Sequence, residues 1–149
     1  MTPRVVIDTN VVVAGLLTGR GDSPVARVLD GMLAARFPFV VSAALLSEYF
    51  DVLLRPALRK LHGLATGDIE SIVTTLAEHA MVLTPRSGPP APDAGDQHLW
   101  DLLAADTALW LVTGDKRLLV PMQDKERVMT PLAFVASWSD RRVPPPRNR

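Results

Sequence analysis

The sequence predicts an α/β fold in three layers (α/β/α), with a central parallel sheet of about five strands between two layers of helices. Short apolar runs rich in β-branched residues alternate along the chain with longer stretches of helical period. These runs lack the polar alternation of a strand with one face in water. Segments rich in Pro and Gly separate the two kinds of stretch. Buried strands that alternate with helices are typical of a parallel sheet covered on both faces.

Each element follows from its own local pattern. The apolar runs predict strands at "RVVI" (4–7), "FVV" (39–41), "AMVL" (80–83), "LWLVT" (109–113) and "RVMT" (127–130). Apolar residues at helical spacing predict helices over 11–17, 24–36, 43–54, 67–79, 96–105 and 131–138. Pro56 closes the third helix, because proline cannot continue a helix. The segment "PRSGPPAPDAG" (85–95) is expected to be a loop.

Length and composition indicate one domain with a tail. The chain has 149 residues, of which 48% are hydrophobic, which is enough to bury a substantial core. The end of the chain, "RRVPPPRNR", is basic and rich in proline, and it is expected to be extended or disordered. We therefore expect a domain over residues 1–138 and a C-terminal tail over residues 139–149.

Charge and residue usage narrow the possible functions. The formal net charge is +0, so a polyanionic substrate would need a local basic patch or metal ions. The absence of cysteine excludes disulfides, thiolate metal sites and a thiol nucleophile. No apolar run approaches the roughly 18 residues of a membrane span, and no signal peptide is visible. A soluble cytoplasmic protein without a membrane partner is expected.

Two aspartates lie directly beyond predicted strands. Asp8 follows "RVVI" and Asp115 follows "LWLVTG". Ligands of parallel α/β sheets bind beyond the carboxyl ends of the strands, so both carboxylates are expected at the same edge. Asp8 by itself is equally compatible with a helix N-cap. Two such residues in one sheet favour a functional site.

Two further acids lie on predicted helices. Asp96 lies in the middle of the apolar arc of helix 96–105, so it begins a buried face. It also suits the first turn of that helix with Asp93 as N-cap, and the two interpretations are compatible. Glu48 lies at the border of the apolar arc of helix 43–54. Its position alone is more typical of a surface residue.

A cluster of four acids would favour a bound cation. Carboxylates near one sheet edge repel each other strongly unless positive charge is present. Oxygen ligands without Cys suit Mg²⁺ or Mn²⁺ rather than Zn²⁺, and His62, His79 and His98 show no ligand spacing. We therefore expect Asp8 to hold a metal ion.

Four segments together resemble a known family. "VVIDTNVVVAGLL", "VSAALLSEYFDVLLRPAL", "DAGDQHLWDLLAA" and "LWLVTGDKRLL", in this order and spacing, resemble a PIN domain over about residues 4–138. Within that family the chain is similar to the VapC-like ribonucleases, the toxin components of bacterial toxin–antitoxin systems. The resemblance implies a parallel sheet between helices. It also implies Mg²⁺ or Mn²⁺ held by a quartet of acids, here Asp8, Glu48, Asp96 and Asp115.

The resemblance also bears on the residues around the quartet. Many relatives have "DPDD" where this chain has "DAGD", so Gly95 replaces one acid. Asp93 and Asp96 match the outer acids, and we favour Asp96 as the ligand with Asp93 as the alternative. Residues beside the acids are expected to hydrogen-bond and orient the carboxylates. These residues are Thr9, Asn10 and Thr113.

The implied activity is hydrolysis of RNA phosphodiester bonds by a water that a divalent metal ion activates. The implied partners are an RNA substrate, a small antitoxin protein and a second copy of the chain. Candidate phosphate contacts are Arg20, Lys116, Arg117, Arg141 and Arg142. The alternative is a catalytically weak PIN-like module that binds RNA or protein, which the presence of all four acids disfavours.

Overall fold

The computed structural model describes residues 4–119 and 127–140. Its strands are β1 (Val5–Ile7), β2 (Val40–Val41), β3 (Met81–Val82), β4 (Trp110–Val112) and β5 (Val128–Met129). Its α-helices are α1 (Thr9–Leu17), α2 (Pro24–Leu33), α3 (Ala43–Leu53), α4 (Pro56–His62), α5 (Thr66–His79), α6 (Gln97–Leu103), α7 (Lys116–Leu119) and α8 (Pro131–Asp140). A 3₁₀ turn over Ala94–Asp96 precedes α6.

Every pairing between these strands is parallel, which confirms the predicted fold class. One sheet has the order β1-β4-β5, and β2 pairs with β3 in a second sheet. A parallel bridge between Val5 and Phe39 joins the two, so the strands follow the order β3-β2-β1-β4-β5. The predicted five-strand sheet is therefore present as a group of three strands and a group of two.

The central strands form the middle of the core. Val5, Val6 and Ile7 of β1 are fully buried, as are Leu111 and Val112 of β4. Burial on both faces explains why these runs show no polar alternation. Strand β3, at the edge of the sheet, exposes both of its residues.

Serine side chains determine where two helices begin. The hydroxyl of Ser23 accepts a hydrogen bond from Ala26 N–H at 3.3 Å, and Pro24 occupies the first position of α2. The hydroxyl of Ser42 accepts from Leu45 N–H at 3.1 Å at the start of α3. Such bonds satisfy backbone donors that have no partner inside the helix.

Helix α4 and the short helix α7 were not predicted from the sequence. Helix α3 does end before Pro56, at Leu53, but Pro56 then occupies the first position of α4. Proline suits that position because its fixed φ is helical and a first-turn N–H needs no partner. Gly63 ends α4 with φ +67°, in the left-handed region that favours glycine.

The Pro- and Gly-rich loop before α6 is bound to that helix. The carboxylate of Asp101 accepts a hydrogen bond from Gly88 N–H at 2.9 Å, and the side chain of Gln97 accepts from Ala91 N–H at 2.9 Å. A Cβ at Gly88 would lie 2.5 Å from the carbonyl oxygen of Trp100, so only glycine allows this approach. The predicted loop is therefore an ordered support for the residues that follow it.

The predicted tail falls mostly outside the described residues, because the described part of the chain ends at residue 140, the last residue given for α8. Across residues 4–119 and 127–140, no helix combines the length and apolar character needed to span a membrane.

Candidate active site

The pairing of β1 with β4 brings Asp8 and Thr113 together. Ile7 is opposite Val112 in the parallel register, and Asp8 N–H donates to the Val112 carbonyl oxygen at 2.9 Å. The hydroxyl of Thr113 donates to Asp8 Oδ2 at 2.7 Å, and both side chains are buried. Asp8 immediately precedes α1, but its side chain makes no capping hydrogen bond. The N-cap interpretation therefore does not explain this carboxylate.

Asn10 ties the first turn of α1 to the loop after β4. Its side-chain Nδ2 donates to Asp8 Oδ2 at 3.3 Å, and its Oδ1 accepts from Gly114 N–H at 3.0 Å. Thr113 Oγ1 in turn accepts from Asp115 N–H at 3.0 Å. Asn10 and Thr113, two of the three polar residues expected beside the acids, therefore contact Asp8 directly and also hold the loop that carries Asp115.

Helix α3 is anchored to the end of β1. The hydroxyl of Tyr49 donates to the Ile7 carbonyl oxygen at 2.5 Å inside the core. Burial raises the pKa of Tyr49 well above its usual value, and the charges of Asp8 and Glu48 raise it further. The sequence showed Tyr49 only as part of an apolar arc. Its hydroxyl fixes the neighbouring Glu48 at the carboxyl end of β1.

Glu48 is held through both of its carboxylate oxygens. The Thr9 hydroxyl donates to Oε2, and His98 Nε2 lies 3.0 Å from Oε1. The Glu48 side chain is 32% exposed and the His98 side chain 20% exposed. Glu48 is therefore half-buried and hydrogen-bonded, although its position on the helix alone is more typical of a surface residue. His98, which showed no ligand spacing in the sequence, is the contact that sequence reasoning missed.

Asp96 lies where the 3₁₀ turn meets α6. Burial raises the pKa of Asp96, and the charges of Asp93, Asp115 and Glu48 raise it further. The Asp96 side chain makes no capping hydrogen bond. Asp93, in contrast, is exposed and caps the turn by accepting from Gly95 N–H at 2.9 Å. The two aspartates thus separate into a capping acid and an acid close to the other carboxylates.

Asp115 is paired with a guanidinium group. Arg117 Nη2 donates to Asp115 Oδ2 at 2.9 Å, and the backbone N–H of Arg117 donates to Oδ1 at 2.9 Å. The side-chain hydrogen bond from Arg117 holds the pKa of Asp115 below its usual value. The Arg117 side chain is 73% exposed, so this pair lies at the surface of the site.

The charges of the four predicted acids act on one another. Burial raises the pKa of Asp8, the hydrogen bond from Thr113 opposes this rise, and the charges of Asp96 and Glu48 add to it. Asp96 in turn is affected by Asp115 and Glu48. The charges of Glu48 and Asp96 therefore act on Asp8, and the charge of Asp115 acts on Asp96.

The oxygen atoms of these side chains are ligands of the kind that a divalent metal ion such as Mg²⁺ binds. Carboxylate and hydroxyl oxygens surround the site, and two buried or half-buried acids have raised pKa values that a cation would lower. Within the described ranges, no three His, Asp or Glu side chains already converge as ligands. Binding would therefore require side-chain movement.

Comparison with known families agrees with this geometry. The family model of the PIN domain matches residues 4–117. The chain belongs to the PIN domain family. PIN domains are generally metal-dependent nucleases that act on nucleic acid. No curated protein matches the chain. The predicted family is therefore confirmed.

The basic residues expected to contact phosphate differ in whether an acidic side chain already pairs with them. Arg20 lies 3.7 Å from Asp22 in an exposed pair, and Arg117 is engaged by Asp115. Lys116 is exposed. Arg141 and Arg142 lie outside the described residues.

Helix α4 of the PIN domain carries basic residues that the sequence reading did not select. None of its residues is buried, and Arg55, Arg59 and Lys60 are exposed. No ion pair found among residues 4–119 and 127–140 involves these three side chains. The helix packs against α1 and α3, the two helices that carry Thr9 and Glu48. It therefore provides a local basic surface on a chain without net charge.

Proposed function

We propose that this PIN domain is a metal-dependent endoribonuclease with Mg²⁺ or Mn²⁺ as its cofactor. The observation that carries the proposal is the buried carboxyl of Asp8 at the end of β1, on which the charges of Glu48 and Asp96 act, together with Asp115 beyond β4, whose charge acts on Asp96. Clustered carboxylates with raised pKa values are costly for a protein that binds no cation there. Family membership supports a nuclease, and the choice of RNA and of these metals is our proposal.

The four acids would hold the metal, and the residues around them would orient the carboxylates. Thr113 and Asn10 donate to Asp8, which leaves Asp8 Oδ1 free of these two bonds. Thr9 fixes one oxygen of Glu48. When bound, a divalent ion activates the attacking water and stabilises the leaving oxygen. The protein's own contribution is to keep the carboxylates oriented before the substrate arrives.

The RNA backbone would be drawn to α4. Arg55, Arg59 and Lys60 have no competing ion pair in the described part of the chain, and phosphate contacts by such residues release counterions. Replacing Arg59 and Lys60 by Gln should raise KM for RNA and reduce the dependence of log KM on log salt by about 0.7 for each lost contact. Arg36 is a matched control, because it is exposed in the loop that leads into β2. This loop lies at the amino ends of the parallel strands, whereas Asp8 and Asp115 lie beyond the carboxyl ends. Equal KM values for the α4 variant and the Arg36→Gln variant would contradict this surface.

The central test is cleavage of a mixed RNA pool with Mn²⁺, combined with calorimetric titration of Mn²⁺ into metal-free protein. We expect cleavage that leaves 5′-phosphate and 3′-hydroxyl ends and that stops in excess EDTA. Undiminished cleavage in EDTA would rule out the metal mechanism. Asp96→Asn should abolish cleavage, whereas Asp93→Asn should retain it because Asp93 is exposed and its carboxylate already caps the turn by accepting from Gly95 N–H. The opposite pattern would move the assignment to Asp93.

We further propose that the protein is the toxin of a toxin–antitoxin system, that it acts in the cytoplasm and that it forms a homodimer. The order of its motifs supports a VapC-like role, and the lack of cysteine suits a reducing compartment. The Arg117–Asp115 pair shows that a basic side chain can occupy one acid of the site, and we propose that an antitoxin covers the acids with a basic side chain in the same way. A small neighbouring gene product should bind and inhibit the enzyme. Light scattering that shows only monomer at high micromolar concentration would contradict the dimer.

One observation favours the alternative of a catalytically weak interaction module. Two of the acids already have basic partners, since Arg117 pairs with Asp115 and His98 contacts Glu48. The same experiments separate the two functions. A module would retain RNA or a protein partner without Mn²⁺ binding and without cleavage.

A further inference from the structure

His98 connects the two helical segments that carry acids of the site. It lies two residues after Asp96, on α6, and its Nε2 is 3.0 Å from Oε1 of Glu48, on α3. The Thr9 hydroxyl occupies the other oxygen of the same carboxylate. Glu48 is thereby held from α1 on one side and from α6 on the other.

The opposite ring nitrogen of His98 has no such partner. Nδ1 is buried, and no described residue forms a hydrogen bond with it. A buried polar atom without a partner costs free energy, so packing alone does not favour histidine at this position. The imidazole makes its one hydrogen bond among the described residues at Nε2, where it needs the proton in order to donate to the carboxylate.

We infer that His98 is a positioning residue for Glu48. Its Nε2–H keeps the glutamate directed at Asp8 and Asp96, and the same bond keeps the Asp96 segment close to α3. This inference rests on the proposed metal-dependent function. Hydrogen bonds of this kind orient carboxylate ligands, and their loss typically weakens metal affinity or activity by about 10–100-fold.

A purely structural histidine makes a different prediction. If His98 only filled space between α3 and α6, an apolar side chain of similar size would preserve Mn²⁺ affinity. If its donor matters, a side chain with a donor at the same reach would restore the affinity. His98→Leu removes the donor, His98→Gln places an amide N–H near the position of Nε2, and His98→Asn has an amide too short to reach it.

The experiment uses the full chain and measures Mn²⁺ affinity by calorimetry, together with kcat and KM for RNA. His98→Leu and His98→Asn should each weaken Mn²⁺ binding and lower kcat by about 10–100-fold, with little change in KM. His98→Gln should recover both quantities to within several-fold of the original chain. His79→Leu is the matched control, because His79 contacts the Met32 carbonyl oxygen and none of the four acids. The control should bind Mn²⁺ normally.

Three outcomes would overturn the inference. One is unchanged Mn²⁺ affinity in His98→Leu, and a second is a Gln variant as impaired as the Leu variant. If the Leu variant does not fold, the Gln and Asn variants still decide the question, and equal behaviour of these two is the third. Failure of the proposed function is distinguishable, because the unaltered chain would then neither bind Mn²⁺ nor cleave RNA. A metal-free double-mutant cycle between His98→Asn, whose amide is too short to reach Glu48, and Glu48→Gln adds an independent readout, in which coupling between the two sites is expected.

Discussion

The ends of β1 and β4 place an aspartate in two different electrostatic environments. Asp8 is buried and accepts hydrogen bonds from the neutral side chains of Thr113 and Asn10, and burial raises its pKa. Asp115 lies at the surface of the site and is bound by the guanidinium of Arg117, which lowers its pKa. In each case the residue two positions later donates to the aspartate, as an amide from Asn10 and as a cation from Arg117.

The difference shows that a strand-end aspartate does not have one fixed role. Asp8 has no cationic partner among the described residues, so a bound metal ion would supply the charge that it lacks. Asp115 already has a cation from the same chain, and it would exchange that partner for a metal ion. A bound divalent ion should therefore stabilise the ionised form of Asp8, whereas at Asp115 it should compete with Arg117 for the carboxylate.

The largest expected effect comes from replacing either strand-end aspartate, Asp8 or Asp115, by asparagine. Asp8→Asn and Asp115→Asn should each lower RNA cleavage by more than the roughly 100-fold that loss of an orienting hydrogen bond costs. Each change removes a charged oxygen that would hold the metal. Cleavage assays at saturating Mn²⁺ test this, with Asp22→Asn as the control at an exposed acid. Full activity in either variant would remove that aspartate from the proposed site.

The second prediction concerns the hydrogen bond that the uncharged Thr113 side chain donates to Asp8. Thr113→Val removes the 2.7 Å hydrogen bond to Asp8 and the acceptor for Asp115 N–H. The free energy of unfolding should fall by about 1–3 kcal/mol, because buried polar groups lose partners. Cleavage should fall by about 10–100-fold. Urea unfolding and cleavage rates measure the two effects, and Thr113→Ser, which keeps the hydroxyl, is the control. A Val variant as stable and active as the Ser variant would contradict this role.

The third prediction concerns the sign of the effect on stability in the metal-free protein. The raised pKa of Asp8 means that its ionised form destabilises the fold above the folded pKa, and this penalty fades as pH falls toward the unfolded value near 3.8. Asp8→Asn should therefore be more stable than the original chain at neutral pH, by an amount on the order of 1 kcal/mol. The difference should shrink on mild acidification.

Replacing Asp115 by Asn should change the stability of the metal-free protein in the opposite direction. Its lowered pKa contributes stability above the unfolded value of 3.8 and loses it only as pH falls through the lower folded pKa. Asp115→Asn should then be level with the original chain or slightly less stable throughout the range from about pH 4.5 to 7.5. Urea unfolding in EDTA across this range measures both variants. Equal pH profiles for the two would show that their environments do not differ as described.

The smallest expected effect tests competition at Asp115. Arg117→Gln removes the guanidinium that binds Asp115 and whose positive charge would compete with a metal ion for this carboxylate. Mn²⁺ affinity should rise by a few-fold, since an exposed ion pair contributes little. Lys116→Gln is the control, because Lys116 is an exposed neighbour that forms no ion pair with a described residue. Weaker Mn²⁺ binding in Arg117→Gln would show that the arginine supports the site instead.

The sequence by itself determined the α/β class, the approximate strands and most of the helices. Strands and helices depend on local periodicity, which can be read from a short window of residues. The order of four motifs also identified the PIN family, which the family model confirms over residues 4–117. Helix α4 was missed because Pro56 suggests an end, although proline is equally suited to a helix start.

Only the tertiary structure determined which side chains contact the acids and how deeply each acid is buried. Glu48 looked like a surface residue, yet its two oxygens are held by Thr9 and His98, which are 39 and 50 residues away along the chain. The hydrogen bond from Thr113 to Asp8 spans 105 residues. Such contacts depend on how α3 and α6 pack beside β1 and β4, and no local pattern encodes that packing. The pKa of each carboxyl follows from burial and neighbouring charge, so it is set only when the chain has folded.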